Sequence, residues 1–69
     1  MVKVFKTDIQ CSKRADHILD FLTEVFPGLK INFDLEDCDN ILRIEGDAID
    51  SDEVMDRIEI FGYLCVELH

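Results

Sequence analysis

Residues 5–14, FKTDIQCSKR, decide how this chain is read: they lead from a strand, through a loop holding one thiol, into the first turn of a helix. Val2, Val4, Phe5, Thr7 and Ile9 are β-formers, so a strand is expected over Val2 to Ile9. Its phase stays open. Val2 and Val4 share one face and Phe5, Thr7 and Ile9 the other, which a bulge or a late strand start would reconcile. Ser12 is the expected N-cap of the following helix. Cys11 then stands beside a helix N-terminus, where negative charge is favoured, and is a candidate reactive thiolate or metal ligand.

Downstream, Ala15, Ile18, Leu19, Leu22, Val25 and Phe26 recur at helical spacing until Pro27-Gly28 stops the pattern. At ~100° per residue they form one stripe, and His17 lies roughly 140° from its centre, on the solvated side. Leu29 to Leu35 alternates as a strand with Leu29, Ile31, Phe33 and Leu35 inward. Residues 36–40 form an acidic turn, and Ile41 to Glu45 returns as a strand with Leu42 and Ile44 inward. Gly46-Asp47 breaks it. Asp50 or Ser51 caps a short second helix, with Asp52 and Glu53 in its first turn. Val54, Ile58 and Phe61 make its stripe, flanked by Met55, and Gly62 is the expected residue just past its end. Tyr63 to Leu68 is the last strand, with Val66 and Leu68 expected to face the core.

The order βαββαβ predicts an α+β, ferredoxin-like domain spanning 1–69: a four-stranded antiparallel sheet, order 4-1-3-2, with two helices on one face. That topology gathers the first βα loop, the central hairpin and the start of the last strand at one end. Those places hold Cys11, Cys38 and Cys65.

Composition narrows the function classes. The chain has 69 residues, 48% of them hydrophobic, which suits one small folded domain rather than disorder. A formal net charge of −9 argues against nucleic acid or an anionic membrane surface as partner, and is compatible with hard cations or a basic protein partner. There is no long apolar run and no visible signal segment, and the three cysteines lack a disulfide-framework spacing. A reducing cytoplasm with free thiols is expected. No phosphate-binding glycine loop or nucleophile–base constellation is present, so catalysis is not expected. Asp34, Glu36, Asn40 and Glu45 fall at calcium-loop offsets, but Asp39 replaces the mid-loop glycine and the flanks alternate as strands.

Three features together resemble the heavy-metal-associated family, the fold of small copper chaperones and of the N-terminal modules of metal-transporting P-type ATPases. They are the element order, the Ile9-Gln10-Cys11 loop entering a helix, and Gly62-Tyr63 before the last strand. The family loop reads Met-x-Cys-x-x-Cys. Here Ile9 takes the Met position, Cys11 the first Cys position and Arg14 the second. The resemblance implies soft-metal binding, Cu(I) being the type case, through two thiolates. With one cysteine replaced by arginine, it implies a weak or transient site at Cys11. Cys65 is the candidate second thiolate, with a packing role as its alternative; otherwise a partner molecule, or a homodimer sharing one metal between two Cys11 side chains, supplies it. A Cys11–Cys65 disulfide would need Cα atoms within roughly 7 Å. Cys38 reads as an exposed hairpin thiol. The alternatives are a diverged interaction module of the same fold, binding a protein partner through its sheet edge or acidic surface, and thiol redox work by Cys11 beside Lys13 and Arg14.

Overall fold

The computed structural model describes residues 1–34 and 40–68. Its elements are β1 (Val2–Thr7), α1 (Ser12–Val25), β2 (Lys30–Asp34), β3 (Ile41–Glu45), α2 (Ser51–Glu59) and β4 (Cys65–Leu68). All strand pairs are antiparallel in the order β2-β3-β1-β4, which is the expected 4-1-3-2 sheet read from its other edge. Both helices lie on one face, α1 against β2 and α2 against β4. The fold is thus the ferredoxin-like α+β arrangement. Among the described residues, no helix is long and apolar enough to cross a membrane.

The register settles the phase of β1. Phe5 faces Leu42 on β3, and Lys3 faces Ile44. Phe5, Leu42 and Ile44 are fully buried, as is Ile9 just past the strand, so the Phe5-Thr7-Ile9 phase is the core phase. Val2 and Val4 belong to the open face, with no bulge needed. Beneath the sheet, Ala15, Ile18 and Leu22 of α1 and Val54 and Ile58 of α2 complete the core. Burying each such Leu, Ile, Val or Phe removes apolar surface worth about 1.5–3 kcal/mol.

Three expectations are corrected. The N-cap of α1 is Cys11, with extended backbone, and Ser12 is the first helical residue; Ala15 N–H bonds to the Cys11 carbonyl at 2.9 Å. In β4 the inward residues are Cys65 and Glu67, while Val66 and Leu68 are 57% and 42% exposed. Antiparallel pairing puts opposed residues on one face, so Cys65 opposite Thr7, and Glu67 opposite Phe5, must share the core side. Phe61 lies beyond α2, 39% exposed, and packs edge-on against Phe21 at 4.9 Å and His17 at 6.3 Å. Phe21, absent from the expected stripe, flanks the core. The expected inward residue Leu35 and the turn 36–39, Cys38 included, lie outside the described residues.

The second helix begins as its sequence dictates and ends earlier than expected, with Ile60 as its C-cap and Gly62 two residues beyond. Asp50 caps it, its Oδ1 accepting from Glu53 N–H at 3.2 Å. Gly62 takes φ +88°, and its N–H donates to the Glu59 carbonyl at 2.9 Å. Lys3 ties the helix start to the sheet. Its Nζ donates to Ser51 Oγ at 2.7 Å and lies 3.8 Å from Glu67.

Candidate functional site

The end of the sheet that carries Cys11 is built by three cross-links. Thr7, 5% exposed, donates its hydroxyl to the Asn40 carbonyl at 2.7 Å and accepts from Ile9 N–H at 3.3 Å. Asp8 Oδ1 accepts from Leu64 N–H at 2.8 Å, and Arg14 donates to the Tyr63 hydroxyl at 3.4 Å. These bonds hold the end of β1, the return of the hairpin and the approach to β4 together, as the topology predicts. Asn40, the first described residue after the hairpin turn, sits at φ 49°, a region asparagine tolerates.

The two described cysteines reach this end in opposite states, and both thiols are free. Cys11 is exposed at the mouth of α1. The open backbone N–H groups of Arg14 and Lys13, and the Arg14 guanidinium, hold its thiol below the ordinary value. Cys65 is 3% exposed and faces the core opposite Thr7. Burial, with Glu59 adding a smaller push, drives its thiol up to about 12. Cys11 is therefore an accessible, thiolate-prone group and Cys65 a protonated packing residue.

A soft metal held between them fits poorly. The donor set facing solvent is one thiolate with Arg14 beside it, and a cation there opposes a second one. The Cys65 thiol would have to leave the core and lose its proton. No group of three or more His, Cys, Asp or Glu side chains that could hold a metal occurs among the described residues. Arg14, in the position of the missing cysteine, instead reaches the Tyr63 hydroxyl.

A second surface emerges from the register. On the open face the strands present Lys30, Asn32 and Asp34 (β2), Ile41, Arg43 and Glu45 (β3), Val2, Val4 and Lys6 (β1), and Val66 and Leu68 (β4). Exposed apolar side chains crowd one side of it. Val2 (53%), Val66 (57%), Leu68 (42%) and, just before β4, Leu64 (65%) lie along β1 and β4, while the β2 side is polar. Residues 64–68 alternate apolar and polar as a strand should, but the apolar phase of Leu64, Val66 and Leu68 faces outward and not into the core. A shallow cleft at the opposite end of the sheet is lined by Lys3, Phe26, Leu29, Ile49, Ser51 and Glu67. Its Lys3, Ser51 and Glu67 side chains are already paired with one another.

Comparison of the chain with protein-family models, with curated proteins and with solved structures finds no match.

Proposed function

We propose that this chain is a protein-interaction module of ferredoxin-like fold, docking through the β1–β4 side of its open sheet face rather than acting as a metal carrier. One observation carries the reading: Val66 and Leu68 on the edge strand β4, with Leu64 just before it, expose apolar side chains, and Val2 on neighbouring β1 is exposed as well. An edge strand that turns apolar side chains to the open face of an acidic domain marks a contact site, with Lys6, opposite Val66, as the neighbouring charge. The buried, protonated Cys65 supports it from the other side, because it withholds the second thiolate a copper-chaperone-like site needs.

A second reading rests on Cys11. Its exposure and its lowered thiol favour a weak soft-metal contact through Cys11 alone, completed by a partner's ligand or by Cys11 of a second copy. Affinity capture separates the two. The interaction module keeps its captured partners in Cys11→Ser and loses them in a Val66→Lys/Leu68→Lys variant, whose exposed positions leave the core intact. Cu(I) titration against a competing chelator runs alongside. A chelator-resistant site lost in both Cys11→Ser and Cys65→Ser would overturn the interaction reading; loss in Cys11→Ser alone, at one metal per two chains, would establish the second.

A further inference from the structure

The two edges of the sheet are not equivalent. β2 shows Lys30, Asn32 and Asp34 to the open face, the charged composition that keeps an edge from pairing. β4 shows Val66 and Leu68, with Leu64 preceding them, and carries neither Lys nor Pro. Its one charge, Glu67, points to the core side and already faces the Lys3 ammonium. An acidic chain has thus left one edge strand with an apolar open face, its single carboxylate turned to the core side beside Lys3.

The direction of the free backbone groups follows from the ladder. Gly46 N–H bonds to the Met1 carbonyl, so odd residues of β1 bond to β3 and even ones turn toward β4. Leu64 N–H, aimed at Asp8, agrees. Val66 and Leu68, opposite Lys6 and Val4, therefore bond inward to β1, and Cys65 and Glu67 turn their N–H and C=O groups outward.

We propose that β4 pairs antiparallel with β4 of a second copy, joining two sheets into one of eight strands about a two-fold axis at Val66. This names the occupant of the docking surface and rests on the interaction reading above. Opposed residues must share a face, so the axis passes through a residue position and not between two. An axis at Glu67 would set two like carboxylates directly opposite each other. An axis at Val66 sets Val66 against Val66 and Leu64 against Leu68 of the second copy. It also places the outward groups of Cys65 against those of Glu67 of the second copy, closing four backbone hydrogen bonds. The strand is complementary to itself in that register. A basic partner would meet Lys6 opposite Val66 at this edge and would be drawn to the acidic α2 instead.

Sedimentation equilibrium of the full chain over about a hundredfold range of concentration tests the proposal. The mass is expected to rise from one chain toward two. Val66→Lys is expected to weaken association at least about tenfold, the effect of opposing like charges at the axis, while Asn32→Lys on the other edge leaves it unchanged. With Cys11 and Cys38 replaced by serine, Val66→Cys is expected to crosslink two chains under a mild added oxidant, and Leu68→Cys is not. A single-chain mass throughout, or association that survives Val66→Lys, overturns the dimer. A chain that stays monomeric yet loses captured partners in Val66→Lys/Leu68→Lys would refute only this inference. Capture that follows Cys11 would refute the interaction reading itself.

Discussion

Cys65 and Cys11 carry the same group in opposed surroundings, and alkaline pH separates them. The Cys65 thiol is raised to about 12 in the fold, so the unfolded chain loses this proton first. Its contribution to stability is complete below the ordinary thiol value of roughly 8.5 and is lost as pH climbs from there toward the raised value. Cys11 has the reverse sign. Its lowered value makes the folded chain lose that proton first, so it adds stability above the ordinary thiol value and loses it as pH falls through the lowered one. Full exposure keeps its share small. Denaturant midpoints measured from pH 7 to 10 should therefore decline, and Cys65→Ala should flatten the decline while costing roughly 1 kcal/mol at neutral pH for the lost packing. Cys11→Ser should leave the decline in place. An undiminished slope in Cys65→Ala would mean that the buried thiol is not what titrates. Arg14 could be read from the sequence as the residue that spoils a two-thiolate loop. That it instead meets Tyr63 depends on a contact between residues 49 apart in sequence, which no local pattern encodes.

At the scale of elements, α2 tests how a helix end is specified. Gly62 holds φ +88° with nothing near enough to collide with an added Cβ, so replacing it isolates backbone strain from packing. Gly62→Ala should cost about 1–2 kcal/mol, since a left-handed backbone crowds any Cβ. Gly28 has equally open space without a positive φ. Gly28→Ala should be neutral or stabilising by about 0.4–1 kcal/mol through the unfolded chain. Equal effects in paired chemical denaturation curves would refute the distinction. Helices and their stops were legible because the signals are local: Asp50 before the helix, Gly62 after it, Val54 and Ile58 one turn apart. β2 and β3 were legible because one face is plainly apolar. β4 was not. Its apolar residues face outward and its inward pair is a thiol and a carboxylate, so an alternation rule chooses the wrong face. Lys3 makes Glu67 tolerable there, and that pairing is visible only once β1 and β4 are side by side. The N-cap slipped by one residue for a related reason: Ser12 is the better capping side chain, yet the helix takes its first carbonyl from Cys11.

At the scale of the whole molecule, charge opposes the fold and would oppose the proposed association. Sixteen acids face seven cations in the chain. The open face, among its described strand residues, carries three cations (Lys6, Lys30, Arg43) and two acids (Asp34, Glu45), so the excess negative charge belongs to the helices, loops and hairpin. The body measures 28 × 24 × 18 Å, comparable to the ~30 Å screening length at 0.01 M salt and far larger than the ~3 Å at 1 M. At low salt every carboxylate therefore repels most of the others; at high salt only neighbours interact. Arg57–Glu53 is exposed and worth about 0.3–0.5 kcal/mol, and it too is screened. Added NaCl should raise the melting temperature, and choline chloride at the same ionic strength should raise it equally. A larger rise with sodium, magnesium or calcium would reveal a cation bound by the carboxylates rather than screening. A fall would mean that ion pairs outweigh repulsion. The same screening should strengthen the proposed β4–β4 contact, because two chains of charge −9 repel at long range while the strands proposed to meet present apolar open-face side chains. An interface held by opposite charges weakens in salt; one held by Leu64, Val66 and Leu68 against net repulsion strengthens, so the sign of the salt effect on chain mass distinguishes the two.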